Sequence, residues 1–536
     1  MDLYFEYMTA FSLFRPNTIH EKFQKMASTI EAQALVASMF AFSARFAPAG
    51  DFNDYPTPAY FSDMTSKLLE RAIVDSGDNT PPLWVLQASV LDTFYHLTRS
   101  VRSRSWRLLG NCIRLAYDRK MHLLDLNSQH RAEAHQNGQE QVADWSFLEE
   151  QRRCWWAIWE MDVFASTIRR LPTAIDEKQN FTLLPMPDEC WFTGINQPSC
   201  LLVEDINERW KGLPRVGNTS PKAWFIVINS LMHDAQRLVY NPGTSKSGLT
   251  DSQRDDLTII SNSLYCATAS LPAELKYSGE MLDFRTKRSA ADANFRQYHS
   301  DIYAIHNMTQ LTQFMVFHNK LCSQAPWSIA PQEAGENSAT RSFDHASWSN
   351  YMKSAEAIVS IVRNSDHSHF KSVNPFLNNT LWFAAAAQIA CVVFGPSSYG
   401  RALLRSNYEM LALTIDQFIE FWASIDILRP RLQKIESALR NLSQRGAQQG
   451  GDEQRHPRPR EGQNRRAIMT QSRTNDTNDQ APILEGMDSN RNMPAGDTDI
   501  LAFMPLFQDF DDMALLAQQT GVDDFNLELP FGMDDF

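Results

Sequence analysis

The sequence predicts an all-α fold: a large multi-helix domain over residues 1–444, a polar linker over 445–480 and an acidic, aromatic tail over 481–536. Three observations carry this. Apolar residues recur at helical spacing through most of the chain, they vanish abruptly near residue 445, and carboxylates gather after residue 481. With 536 residues, 43% hydrophobic and 11% aromatic, the chain holds enough apolar material for a body larger than one ordinary domain.

Taken in chain order, one of the clearest elements is the stretch around Trp106. Trp106, Leu109, Ile113, Ala116 and Tyr117 share one stripe, while Arg107, Asn111, Arg114 and Asp118 share the other. The same period predicts helices at Leu83–Leu97, Phe147–Ser166, Trp224–Tyr240, Leu257–Ala269, Phe295–His318, Tyr351–Val362 and Ile415–Leu442. Leu381–Phe394 is the most apolar run; it is too short to span a bilayer and contains Gln388, so it reads as a buried helix. Asn127–Gln141, Pro185–Pro221 and Ser323–Arg341 lack the period and read as loops.

After Arg445 the composition turns to Gln, Gly, Arg, Pro, Asn and Asp, too poor in apolar residues to offset ordering entropy. Its basic residues Arg455, Arg458, Arg460, Arg465 and Arg466 suit either a nuclear import address or a plain solvated run. From Ala481 onward, twelve acids face Arg491 alone, so the tail holds -11 of the net -13. Among those acids sit Phe503, Phe507, Phe510, Phe525 and Phe536, with Asp511 and Asp512 beside the first three. An acidic segment with aromatics at helical spacing suits induced folding into a partner's groove; an acidic solubilising tail is the plainer alternative.

Several function classes lack their sequence chemistry. Neither a G-x-G-x-x-G nor a P-loop pattern occurs, and Gly243–Gly248 has the wrong spacing for a phosphate cradle. No nucleophile elbow is present, and the paired histidines at 130 and 135, and at 367 and 369, lack the helix-face spacing of catalytic zinc. The seven cysteines are scattered and odd in number, which fits neither a disulfide framework nor a zinc cluster. The opening MDLYFEYM has no basic flank or apolar run of a signal peptide. The expectation is an intracellular non-enzyme without cofactor or metal.

One constellation is distinctive. Residues 149–185 read EEQRRCWWAIWEMDVFASTIRRLPTAIDEKQNFTLLP, preceded by SWRLLGNCIRLAYDRKMHLLD. Read singly, Trp155, Trp156 and Trp159 are core, and Arg152 and Arg153 pair with acids or helix ends; such a motif defines a fold, not a catalytic site. Together the two segments resemble the helical regulatory domain, the middle homology region, of fungal zinc-cluster transcription factors. The resemblance runs through Trp106, Gly110 and Arg114 in the first segment. In the second it runs through Glu150, Arg152, Arg153, Trp155, Trp156, Asp162, Arg170, Pro172 and Pro185. It extends from Asp2 to about Leu442. The family usually has Gly before the Arg/Pro turn, where this chain has Arg169 and Arg170. The family's six-cysteine zinc cluster is absent.

The resemblance implies a nuclear regulator of transcription, activator or coregulator, with coactivators as partners of the tail. It also implies a homo- or heterodimer, a small-molecule effector received by the helical domain and, as in many relatives, a clustered metabolic pathway as target. DNA would be reached through a partner or a zinc module missing from this sequence, and no membrane is involved. The competing reading is a ligand-binding or scaffold protein that does not occupy promoters.

Overall fold

The computed structural model describes residues 1–437 apart from 27, 48–55, 127–142, 241–249, 285–290, 325–344, 395–398 and 426–427. The linker with its five arginines (Arg455, Arg458, Arg460, Arg465, Arg466) and the tail with Phe503, Phe507, Phe510, Asp511, Asp512, Phe525 and Phe536 lie outside the described residues, as does the loop read at Asn127–Gln141.

Among the described residues the architecture is all-α, and the extended pairings are two single bridges, Leu183 with Leu201 and Leu282 with Ser365. The first layer comprises α1 (Asp2–Tyr7), α2 (Ile19–Lys25), α3 (Thr29–Ser43), α4 (Pro58–Ser76), α5 (Leu83–Arg99), α6 (Ser103–Asp118) and the long α7 (Ala143–Arg169). Three short helices, α8 (Asp188–Thr193), α9 (Ile206–Arg209) and α10 (Gly212–Val216), cross to the second layer. That layer holds α11 (Pro221–Val239), α12 (Asp251–Ala269), α13 (Ala291–Gln324), α14 (His345–Arg363), α15 (Asn378–Phe394) and α16 (Arg401–Trp422).

Local chemistry sets several ends. Thr57 accepts from the Tyr60 amide and Pro58 opens α4, while Ser220 and Pro221 do the same for α11. Thr250 and Gln253 form a capping box on α12. Fourteen of the seventeen residues of α5 are buried, which makes it an internal helix with α3, α4, α6 and α7 packed around it. Likewise α15 buries every face its described side chains show. No helix among the described residues is long and apolar enough to cross a membrane.

The two layers form one hydrophobic core. Trp422 at the end of α16 packs against Phe42 and Phe46 of the first layer, with the Arg45 guanidinium 4.4 Å from its ring. The Ile425 amide donates to the Arg99 carbonyl (2.8 Å), and the Ser424 hydroxyl to the Thr98 carbonyl (2.6 Å).

Two expectations need correction. Pro185–Pro221 is not a featureless loop, because it carries α8, α9 and α10. The helix read continuously from Ile415 to Leu442 breaks at Ala423, which adopts the left-handed conformation (φ 51°). Helix resumes only at 428, with Pro430 in its first turn. Pro430 could not continue a helix from upstream, since its ring would clash with the carbonyl four residues earlier.

Candidate functional site

The residues singled out in the sequence converge on α7, and their geometry is that of a lock. Arg152 grips Asp125 through Nε (2.9 Å) and Nη2 (2.5 Å) and reaches Glu149 with Nη1 (3.4 Å). Arg153 donates from Nε to Glu149 (2.9 Å), from Nη2 to the Met186 carbonyl (2.6 Å) and from Nη1 to Asp188. Its guanidinium also stacks on Trp191, 4.3 Å from the ring centroid. Glu149 is fully buried and takes a third bond from the Met186 amide (3.0 Å). Burial works against charge on both arginines, but Asp125, Asp188 and Glu149 outweigh it and hold both guanidiniums above their ordinary value.

The tryptophans finish the lock from the other side. Trp155 donates to the Asn180 side chain (3.0 Å) and Trp156 to the Leu183 carbonyl (2.7 Å), so both rings are buried with their N–H groups satisfied. Pro185 is buried and its carbonyl accepts from Asn218 (3.1 Å). The segment after α7 therefore folds back along that helix and is pinned there at residues 180, 183, 186 and 188.

Asp162 and Arg170 make the turn that permits this return. The Asp162 carboxylate accepts from the amides of Ala174 and Ile175 (both 2.9 Å), and burial pushes it up to about 6. Arg170 occupies the left-handed position at the end of α7 (φ 51°), where the Leu171 amide closes back on the Ser166 carbonyl (3.1 Å). This is the place where Gly would sit without strain. Here the Arg170 guanidinium lies 4.2 Å from the Tyr240 ring, a contact Gly could not make. Pro172 is exposed, and its carbonyl accepts from Ser166 (3.4 Å).

The companion segment is peripheral to the lock. Trp106 is half-buried beneath the Arg169 guanidinium (5.1 Å), and Arg114 is exposed. A side chain at Gly110 would meet only the Arg114 guanidinium, at 3.5 Å, so no close approach demands a glycine there. Glu150 does not hold the arginines. It pairs with Lys22 and accepts from Gln87 (2.7 Å), while its neighbour Glu149 holds them both.

Beside the lock lies a feature that sequence reasoning missed, a cavity of about 1280 Å³ between the N-terminal segment, α7, α8, α11 and α13. Aromatic residues including Tyr4, Phe11, Trp156 and Tyr298 line it, together with Glu160, Asp188, Lys222 and Asp301. Lys222 donates to Glu160 (3.0 Å) and to the Ala10 carbonyl (2.7 Å), and Asn374 donates to the other oxygen of Glu160 (2.8 Å). These residues are far apart in sequence and no motif joins them.

Glu177, His233 and Asp234 also come together, within 4.8 Å of one another. Arg209 donates to Asp234 (2.8 Å), so a guanidinium already neutralises one carboxylate of the group, and His233 Nδ1 lies 3.3 Å from Glu177.

Residues 1–214 match the model of the fungal specific transcription factor domain. The transcription factor tazR of Aspergillus terreus is 27% identical over 124 residues, which are 23% of this chain and 18% of that protein. The uncharacterized transcriptional regulatory protein C1327.01c of Schizosaccharomyces pombe is 22% identical over 457 residues, 77% of this chain and 45% of that protein. The chain thus spans less than half the length of either curated relative. No solved structure matches it. The matched domain ends inside α10, so the lock lies within it whereas the second layer lies beyond it.

Proposed function

We propose that this chain regulates transcription in the fungal nucleus, as an activator or coregulator of RNA polymerase II genes. In this reading the helical body is the regulatory part, residues 445–480 are a tether with an import address, and residues 481–536 recruit coactivators. DNA is reached through a partner or a zinc module. The observation that carries the reading is the match of residues 1–214 to the fungal transcription factor domain, whose arginines and tryptophans here are consumed in holding the fold together and leave no reacting centre among themselves.

Chromatin immunoprecipitation of the tagged full chain tests it, with promoter enrichment as the expected outcome. Absence of enrichment in the presence of its partners would favour the scaffold reading. For the tail, the full chain joined to an unrelated DNA-binding module should activate a reporter. Replacing Phe503, Phe507 and Phe510 together with Ala should remove most of that activity. Replacing Asp509, Asp511 and Asp512 with Asn should only weaken it, because each buried Phe contributes about 1.5–3 kcal/mol and each exposed charge about 0.2–1 kcal/mol. Equal effects of the two triple variants would reduce the tail to a solubiliser.

A further inference from the structure

The central cavity is out of electrostatic balance. Seven carboxylates line it against three arginine and lysine side chains, Arg153, Lys222 and Arg296. All three cations are already engaged: Arg153 by Glu149 and Asp188, Lys222 by Glu160, and Arg296 by Glu6 (3.2 Å). Asp2, Glu189, Glu274 and Asp301 are left over, and of these Asp301 alone is not exposed. Among the described residues it receives one hydrogen bond, from the Gln297 amide (3.0 Å), which also donates to the Thr9 carbonyl (3.1 Å). A second polar group is in want of a partner as well. Tyr4 lines the cavity, is 2% exposed, and has a hydroxyl with no hydrogen bond. A buried polar group without a partner is destabilising, and a ligand that satisfies it recovers that cost.

We propose that this cavity binds an amphipathic organic cation, whose ammonium group pairs with Asp301 and whose apolar body packs among the aromatic residues around Tyr4, Phe11, Trp156 and Tyr298. The surplus of carboxylates selects the sign of the ligand. The aromatic walls select an apolar body and add cation–π attraction. The same surplus argues against the chain's own tail as occupant, since that segment carries -11 and would meet seven carboxylates. The proposal deepens the regulatory reading by naming the chemical class of an effector, and it rests on that reading only for its consequence in the cell.

Protonation gives the site a signature. Burial first, and then the neighbouring Asp188 and Glu160, push the Asp301 carboxyl up to about 8, with Lys222 and the Gln297 hydrogen bond pulling the other way. Near neutral pH the empty site therefore holds a proton on Asp301. An arriving ammonium displaces it, so binding releases nearly one proton and tightens as pH rises toward that value.

Calorimetry on the full chain with three isosteric probes tests this: tryptamine, its neutral alcohol tryptophol and the anion indole-3-acetate. Octylamine, octanol and octanoate serve as a second body. The amine of each set should bind about tenfold to a hundredfold tighter than its neutral and anionic counterparts, the gain of one charge-assisted contact. Repeating the titration in buffers of different ionisation enthalpy should show the proton release. Asp301→Asn is nearly isosteric with the protonated carboxyl, so it should fold, lose the preference for the amine and lose the proton release. Equal or better binding of the alcohols or acids, no binding of either amine, or an unchanged preference in D301N would each overturn the proposal. A reporter assay with added amine separates the two readings: binding without any change in transcription keeps the cavity and removes the effector role.

Discussion

The lock and the cavity share Arg153, Trp156, Pro185 and Asp188, yet they resolve the problem of buried charge in opposite ways. In the lock, two guanidiniums meet Asp125, Glu149 and Asp188, and backbone groups at Met186 and Leu183 take up remaining hydrogen bonds. In the cavity, every cation is committed and one carboxylate keeps only an amide. A network closed on itself can hold a chain reversal in place and do nothing further. A network left short of positive charge can respond to a molecule that brings it.

The comparison can be broken most forcefully at Glu149. Glu149→Ala leaves two buried guanidiniums short of their shared acceptor, and the full chain should lose about 3–5 kcal/mol of stability in urea unfolding. A loss below about 1 kcal/mol would mean that the lock is not closed as described. A smaller effect is expected at the turn. Asp162→Ala strands the amides of Ala174 and Ile175 and should cost about 1–3 kcal/mol by the same measurement.

In the cavity the expected effect is a slope, not a loss. Asp301 titrates near 8 in the folded protein, above the usual carboxylate range it has when unfolded. Its ionised form is therefore disfavoured by folding, and stability should fall as pH rises from about 6.5 to about 8.5. His96 and His369, both lowered to about 4 by burial, and Asp92 and Asp162, both raised to about 6, titrate mainly below that window. Melting temperatures across it should flatten in Asp301→Asn, and an unaltered slope would assign the titration elsewhere. The smallest effect is Arg170→Gly, where relief of the left-handed strain, about 1–2 kcal/mol, trades against glycine's entropy and the lost Tyr240 contact. The net change should stay within about 1 kcal/mol.

What the sequence made legible follows from how local each signal is. The helix at Ser103–Asp118 and the burial of Trp155 and Trp156 are written in spacing alone, because the residues that share a face are three and four apart. Which acid holds the arginines was not so written: Glu149 and Glu150 are adjacent, and only the return of the 180–188 segment decides that Glu149 faces inward. The cavity was illegible for a stronger reason. Glu160, Asp188, Lys222 and Asp301 come from four helices. On α13 the polar residues Arg296, His299, Ser300, Asn307, Thr309 and Thr312 are also buried, so Asp301 does not stand out from its own helix. The break at Ala423 was missed although Pro430 announced it, because the apolar period runs on through both sides.

The contacts of Thr9 also have a history in time. The Thr9 hydroxyl donates to the Ser372 carbonyl (2.7 Å), across 363 residues of chain, and the Gln297 amide closes on the Thr9 carbonyl from nearly as far. At roughly 5–20 residues per second on the ribosome, the first helices wait about 20–70 seconds for those partners to be made. A late stretch thus completes the part synthesised first, and a ribosome that stalls before residue 372 releases a product whose N-terminal segment lacks this partner.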